Sequence, residues 1–238
     1  MSFSLSSLPL SNYRGARRLY AGLSVLSLMT KLRLMSRAAG PNEIADFALS
    51  NSLIRPAQVP SELHQFARIV AERKPKAVLE IGTLQGGTLM VLCRLSDPGA
   101  TVISVDLPGG PFGGGYKWFR VPLFKSFAAN RQRLHLLRKD SHRNETLEEV
   151  ATILGNQRLD LLFVDGDHTY EGVRADYNLY SPLVQAGGIV AFHDIVQHPP
   201  AMGCEVVRFW NEIKHSHRYS EVVGDPSQGW AGIGLLYL

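Results

Sequence analysis

The sequence is poor in cysteine and contains no dense run of like charge. Its 238 residues include two cysteines, Cys93 and Cys204, with neither CxxC nor any other paired spacing, which argues against a disulfide framework and a structural zinc site. We therefore expect two reduced, packed thiols, as in a cytoplasmic protein. Lysine and arginine give a net charge of +4 but are scattered along the main body of the chain. Nucleic-acid binding is not indicated by this pattern.

The sequence also lacks an apolar run long enough to span a bilayer. The N-terminal segment, residues 1–45, has an apolar stretch at 19–29 with basic residues on both sides, which is atypical of a signal peptide. We predict a basic, partly amphipathic extension here, followed by one domain over 46–238. The extension is expected to pack on the domain or on a partner subunit of a homo-oligomer. Contact with an anionic membrane surface and a mobile tail are the alternatives.

Strand-like and helix-like patterns alternate through the rest of the chain. Strands are predicted at 77–81, 101–106, 134–139, 159–164 and 189–192, with closing strands at 219–223 and 232–238. Helices are predicted from residue 61, and at about 88–95, 123–130, 144–154, 169–183 and 205–213. This order predicts an α/β fold with a doubly wound, mostly parallel, seven-stranded sheet that has helices on both faces. Ligands bind at the carboxyl edge of such a sheet.

A glycine turn follows the first predicted strand in the segment VLEIGTLQGGT. Gly82 and Gly86 allow close approach of a ligand, and the next helix points its N-terminal amides toward it. Leu84 replaces a glycine of the dinucleotide fingerprint, which disfavours a pyrophosphate. The remaining pattern, with Glu80 before the turn, suits the cationic S-adenosylmethionine, while a tight turn without a ligand is the alternative. Asp106 favours a bound ligand over an empty turn. It lies about twenty residues after the glycines, where a carboxylate can bind the ribose hydroxyls of a nucleoside.

Acidic residues also follow the later strands. Asp140 is a candidate for the adenine amine or, alternatively, a helix cap. Asp165 and Asp194 follow the fourth and fifth strands and are expected to meet, and two buried carboxylates repel unless a cation lies between them. Oxygen ligands favour Mg²⁺ or Mn²⁺. His193 is either a third ligand, which would favour Mn²⁺ or Fe²⁺, or a packed side chain.

Histidines and a long loop complete the predicted site. His168, three residues after Asp165, is a candidate general base, or a helix-start residue bonded to backbone. His198 is expected at the surface, together with His215 and His217. The glycine-rich loop at 107–118 is predicted to enclose the substrate with Tyr116 and Trp118, or to be a flexible insertion.

With these residues identified, the chain resembles class I S-adenosylmethionine-dependent methyltransferases. It looks most like the branch that contains metal-dependent small-molecule O-methyltransferases and the cephalosporin hydroxylase-like group. The motifs are LEIGTLQGGT, VISVDLPGGPFGGGY, FVDGDHTYEGVRADY and GGIVAFHDIV. The resemblance implies a Rossmann-like fold that ends in an antiparallel hairpin, S-adenosylmethionine as cofactor and a divalent metal.

Site residues are assigned on the pattern and the resemblance together. Cofactor binding is predicted for Glu80, Gly82, Thr83, Gly86, Thr88, Asp106, Leu107, Asp140, Ser141 and Asp165. Metal binding is predicted for Asp165, His193 and Asp194, and catalysis for His168 and Asp165. Histidine 193 stands where metal-dependent members carry an acid, and His168 stands where the catechol-type branch carries a lysine base.

The predicted function is methylation of a hydroxyl on a small natural-product or sugar-like molecule, assisted by a divalent metal. Two other classes remain open. One is a metal-dependent hydroxylase that uses His168, His193 and an aspartate as a facial triad. The other is a non-catalytic binding subunit.

Overall fold

The structure is a computed structural model that describes residues 10–35, 39–110, 114–129, 131–225 and 227–238, with side chains described from residue 22 on. The chain divides into two units, Met1–Ala38 and Ala39–Leu238. Residues 1–9 of the N-terminal extension and residues 111–113 of the glycine-rich loop lie outside the described residues.

The described residues of the first unit form one helix, α1 (Leu10–Leu34). Lys31 and Arg33 lie in its last turn. Positive side chains there are stabilised by the negative, C-terminal end of the helix dipole. Among the described helices, none combines the length and the apolar character needed to cross a membrane. The boundary predicted after residue 45 falls inside α2 (Pro41–Ser50), a helix of the second unit that the sequence analysis did not predict.

The second unit is built around a seven-stranded sheet. Its strands are β1 (Ala77–Ile81), β2 (Thr101–Asp106), β3 (Arg133–Arg138), β4 (Leu159–Val164), β5 (Val184–His193), β6 (Arg218–Val222) and β7 (Ile233–Tyr237). The spatial order is β3-β2-β1-β4-β5-β7-β6, with β1 to β5 parallel and β7 antiparallel to both of its neighbours. The predicted fold class is confirmed.

Helices connect and cover the strands. They are α3 (Pro60–Arg73), α4 (Gly87–Leu95), α5 (Val121–Lys125), α6 (Asn144–Leu154), α7 (Tyr170–Tyr180) and α8 (Val206–Ile213). The helix predicted at 123–130 was wrong in its extent, since α5 ends at Lys125. Ser126 and Phe127 instead donate to the carbonyls three residues back, in tight turns at 3.0 and 2.9 Å. Asn130 lies outside the described residues.

Both faces of the sheet are buried. On one face, Leu79 and Val105 join a hydrophobic cluster with side chains of α6, α7 and α8. On the other face, Phe163 of β4 packs on Phe66 of α3, with ring centroids 5.1 Å apart. The carboxyl ends of the parallel strands are therefore the edge left open to a ligand, as expected for a doubly wound sheet.

Candidate functional site

The glycine turn after β1 is held against the turn after β4. Gly82 has a φ of +88° and donates its N–H to the Val105 carbonyl at 2.9 Å, while Asp165 donates to the Ile81 carbonyl at 2.8 Å. A Cβ atom on Gly82 would lie 1.8 Å from the Asp165 carbonyl oxygen, so no larger residue fits there. Leu84, at a φ of +45°, completes the turn in the left-handed region. This geometry brings the ends of β1 and β4 into contact.

Asp106 locks the same turn from the end of β2. One carboxylate oxygen accepts from the backbone N–H groups of Thr83 and Leu84, at 2.9 and 2.8 Å, and the other from Leu107 at 2.8 Å. Burial raises the pKa of Asp106, and these backbone donors oppose the rise. Oδ1, which accepts from Leu107, has a second acceptor position. Asp106 therefore shapes the turn and can still accept from a ligand hydroxyl.

Glu80 lies below the turn. It is fully buried, and burial raises its pKa well above the ordinary value. Glu80 pairs in register with Phe163, so its side chain is on the sheet face covered by α3. It is absent from the lining of the cavity described next, although its carboxylate oxygens have no hydrogen-bond partner.

A cavity of about 590 Å³ opens at the carboxyl edge of the sheet. Its wall includes the predicted residues Gly82, Thr83, Gly86, Thr88, Asp106, Leu107, Asp140, Ser141, Asp165, His168, His193 and Asp194. The volume lies in the range of small-molecule sites. The sequence analysis assigned thirteen residues to the site, and all of them except Glu80 line this one cavity.

Aspartates and histidines meet at one end of the cavity. His193 Nδ1 lies 3.3 Å from Asp165 Oδ1 and 3.2 Å from Asp194 Oδ1. His168 Nε2 lies 3.7 Å from the same Asp165 oxygen and 3.5 Å from Asp194 Oδ2. Asp194 has a φ of +64°, a conformation that aspartate tolerates better than most residues. The predicted convergence of the two strand ends is thus present in the structure.

His198 also belongs to this end of the cavity. The prediction that it lies at the surface was wrong, because its side chain is 3% exposed and its Nε2 lies 3.1 Å from Asp194 Oδ1. Its Nδ1 is 2.8 Å from the Val196 carbonyl, which can only accept, so Nδ1 carries a proton. The sequence signal was its position, four residues after Asp194.

The carboxylates and imidazoles change each other's protonation. Burial lowers the pKa of His193, but Asp165 and Asp194 outweigh it and the net pKa lies well above the ordinary value. The pKa of His168 is raised in the same way, again against the effect of burial. Burial would raise the pKa of Asp194, yet His193 and the other imidazoles hold it well below its usual range. Positive imidazoles thus balance the two carboxylates.

The opposite end of the cavity is formed by the turn after β3. Asp140 Oδ1 accepts from the His142 N–H at 2.9 Å, so the side chain closes this turn and does not cap α6. His142 Nε2 lies 3.4 Å from a carboxylate oxygen of Asp176, which is fully buried on α7. This carboxylate raises the pKa of His142 to about 9. Sequence reasoning missed the His142–Asp176 pair.

Several wall residues come from elements that the sequence analysis did not assign to the site. Met202 and Cys204 reach the cavity from the segment after β5, and Trp230 from the segment before β7. Tyr116 and Trp118, predicted to enclose the substrate, do not line it. Tyr116 is 2% exposed and packs on Phe124 at 4.8 Å between ring centroids, while Trp118 is 72% exposed.

The sequence is similar to known proteins over part of its length. A family model described as a methyltransferase domain matches residues 79–195, from β1 to the residue after Asp194. The uncharacterized protein y4gI of Sinorhizobium fredii is 27% identical over 151 residues, which cover 61% of this chain and 16% of that protein. The uncharacterized protein R132 of Acanthamoeba polyphaga mimivirus is 29% identical over 125 residues, 52% of this chain and 53% of that protein. The chain thus matches less than two thirds of the length of either relative.

Solved structures share the fold at low sequence identity. The O-methyltransferase TomG from Streptomyces achromogenes, involved in tomaymycin synthesis and solved with S-adenosylmethionine, is 16% identical with a TM-score of 0.55 over 89% of each chain. The O-methyltransferase from Bacillus cereus, solved with S-adenosylhomocysteine, is 17% identical with a TM-score of 0.53, over 86% of this chain and 93% of that one. The sheet and its helices therefore form the same fold as these two enzymes.

Proposed function

We propose that this chain, whose residues 79–195 match a methyltransferase-domain model, is a class I S-adenosylmethionine-dependent methyltransferase. It methylates a hydroxyl of a small natural-product or sugar-like molecule with the help of a divalent ion. The observation that carries the proposal is the cavity at the carboxyl edge, whose wall combines the glycine turn, four strand-end aspartates and four histidines. Bound S-adenosylmethionine supplies an electrophilic methyl group on a sulfonium.

The cavity residues fit that cofactor in charge and in shape. Asp106, Asp140 and Asp165 line the cavity and complement a ligand with a sulfonium and an ammonium group. Gly82 and Gly86, both at positive φ, let the turn pack against Asp165 and Phe124, and the turn residues line the cavity. These features support binding of the nucleoside between the ends of β1, β2 and β3.

The donor set at the other end fits a divalent ion. His193 Nδ1 lies 3.3 Å from Asp165 Oδ1 and 3.2 Å from Asp194 Oδ1. Ligands at about 2.1 Å from one ion are about 3.0–3.4 Å from their neighbours in octahedral or tetrahedral geometry. A divalent ion held by these residues supplies a Lewis acid that makes a substrate hydroxyl more acidic.

His168 is the proposed general base. Its Nε2 faces Asp165 and Asp194, and the side chain is 23% exposed toward the cavity, so it can reach an acceptor hydroxyl. The acceptor oxygen forms a bond to the methyl carbon as the carbon–sulfur bond breaks, and its proton goes to Nε2 of neutral His168. A divalent ion beside Asp165 and Asp194 would favour this neutral form, because it would replace the positive charge that the imidazole otherwise supplies to the two carboxylates. Alignment of the two reactants by the cavity wall supplies much of the rate.

Binding and chemistry are tested separately. Calorimetry should detect S-adenosylmethionine binding to the wild-type protein, and labelled methyl should pass to members of a panel of hydroxylated small molecules. In Asp194→Asn, which keeps a residue tolerant of positive φ, we expect turnover to fall about a hundredfold or more with cofactor affinity nearly unchanged. Asp46→Asn, which changes an exposed carboxylate on α2, is the matched control.

Three results would count against the proposal. Absence of S-adenosylmethionine binding would favour a non-catalytic subunit. Oxygen consumption with Fe²⁺ and no methyl transfer would favour the hydroxylase. Full activity of Asp194→Asn, together with full activity of the wild type in chelator, would remove the metal from the mechanism.

A further inference from the structure

We propose that His168, Asp194 and Cys204 form a second metal site, which binds a thiophilic divalent ion of the Zn²⁺ class and blocks His168 when it is filled. Ligand atoms of these three residues all lie within 4.8 Å of one another. The binding claim stands on these residues alone. The inhibition claim rests on the proposed function, in which His168 is the base.

The separations are close to those of a tetrahedral zinc site. His168 Nε2 lies 3.5 Å from Asp194 Oδ2, and Asp165 Oδ1, 3.7 Å from the same nitrogen, is available as a fourth ligand. With Zn–N and Zn–O bonds of about 2.0–2.2 Å and a Zn–S bond of about 2.3 Å, neighbouring ligands are about 3.3–3.7 Å apart. The sulfur lies within 4.8 Å of the other two ligand atoms, so it reaches this range by moving about 1.1 Å at most.

The backbone holds the histidine and the cysteine in place. Glu205, the residue after Cys204, donates its N–H to the His168 carbonyl at 2.8 Å. The Glu205 carboxylate accepts from the Tyr170 N–H at 3.3 Å, so the two segments are joined on both sides of the site. Cys204 is 9% exposed and lines the cavity beside His168 and Asp194. The thiol is thus fixed next to an imidazole that the proposed reaction needs.

The second site differs from the first in the chemical type of its ligands. Asp165, His193 and Asp194 offer oxygen and one imidazole nitrogen, which suit Mg²⁺ or Mn²⁺ as well as Fe²⁺. A thiolate selects against Mg²⁺ and favours zinc-like ions. Both sites use Asp194, so the two ions compete, and binding at the second site releases the thiol proton.

Cobalt(II) is the probe for the proposed ligands. Metal-free, full-length protein is titrated with Co²⁺ in buffer without thiol reductant, and absorption is recorded in the near-ultraviolet and visible regions. We expect a thiolate-to-cobalt charge-transfer band, together with visible bands typical of tetrahedral cobalt, and both should disappear when Zn²⁺ displaces the cobalt. A tenfold excess of Mg²⁺ should leave them unchanged.

The chain offers a matched control, because its other cysteine, Cys93, is buried in α4. Cys204→Ser should lose the charge-transfer band and bind Zn²⁺ about tenfold or more weakly by calorimetry, whereas Cys93→Ser should keep both. If Cys93→Ser does not fold, Cys93→Ala takes its place, and circular dichroism checks each variant. A band that is absent from the wild type, or that persists in Cys204→Ser, overturns the site.

Inhibition is measured after binding. Zn²⁺ should inhibit methyl transfer by the wild type, and Cys204→Ser should need about tenfold more Zn²⁺ for the same inhibition. Equal inhibition of both proteins overturns the regulatory part of the proposal. A charge-transfer band in a protein that shows no methyl transfer would leave the metal site standing and would count against the proposed function instead.

Discussion

Single residues of the glycine turn set the geometry of the whole site. Gly82→Ala adds a Cβ at a φ of +88° and 1.8 Å from a carbonyl oxygen. We expect it to lower the free energy of unfolding by about 3 kcal/mol or more and to abolish cofactor binding, measured by urea denaturation and calorimetry. Gly187→Ala has a similar φ of +81° but open space around the new Cβ. It should cost about 1–2 kcal/mol and leave binding intact, and equal effects of both variants would exclude the steric argument.

The His142–Asp176 pair makes stability depend on pH. The folded-state pKa of His142, about 9, lies above its ordinary value of 6.5. The folded protein therefore binds the extra proton, and the stabilisation is complete below pH 6.5 and is lost as pH rises through 9. Denaturation at several pH values should show this fall in wild type. Between pH 6.5 and 9, the free energy of unfolding should fall less steeply in His142→Gln than in the wild type, whereas the exposed variant His217→Gln should match the wild type. An equally steep fall in His142→Gln would contradict the assignment.

Residues at strand ends could be predicted from the sequence because the apolar runs end sharply in aspartate or histidine. Asp165 and Asp194 follow such runs and meet in the structure. His198 and Cys204 could not be predicted in the same way, because they lie on the irregular segment between β5 and α8. Its path is set by hydrogen bonds such as that from Glu205 to the His168 carbonyl, which no local pattern encodes.

At the scale of elements, α3 holds the segment between β6 and β7. Glu62 is fully buried, and its carboxylate accepts from the backbone N–H groups of Gly224 and Gly232, each at 2.9 Å, and from the Gln228 amide at 2.6 Å. This segment carries Trp230 to the wall of the cavity. Helix α3 thus positions one side of the site from outside it.

Removal of this carboxylate should loosen the segment. Glu62→Ala leaves its backbone donors without a partner, so we expect a loss of about 2–4 kcal/mol in the free energy of unfolding and a shift in Trp230 fluorescence. Urea denaturation measures the first effect. Emission spectra in a Trp118→Phe background measure the second, and a matched Trp230→Phe variant gives the emission of Trp210 that has to be subtracted. Glu72→Gln, an exposed change on the same helix, should cause neither. A fluorescence spectrum unchanged in Glu62→Ala would contradict the role of α3.

The elements themselves were predicted with uneven success. The strands at 77–81, 101–106 and 159–164 match β1, β2 and β4, because buried parallel strands are continuous apolar runs. The short helices were harder to predict. Helix α2 was missed, and α5 is shorter than predicted, since turns at Ser126 and Phe127 replace the helical hydrogen bonds.

At the scale of the whole molecule, ligand binding should be coupled to stability. A ligand at a hundred times its Kd stabilises the folded state by about 2.7 kcal/mol. S-adenosylhomocysteine at that concentration should therefore raise the Tm by roughly 5–10 °C. NAD at equal concentration should not, because Leu84 occupies the position where a pyrophosphate needs glycine. A larger shift with NAD would reverse the ligand assignment.

The position of β7 has a consequence for how the protein is made. This strand follows β6 in the sequence but lies between β5 and β6, and His193 pairs with Ile233 across the β5–β7 ladder. While the chain emerges from the ribosome, β1 to β5 can assemble first, but β6 has no neighbour in the described sheet until β7 inserts. The edge of β5 that carries His193 is therefore completed only after residues 233–237 have been made, later than the strands that carry the other aspartates and histidines of the site.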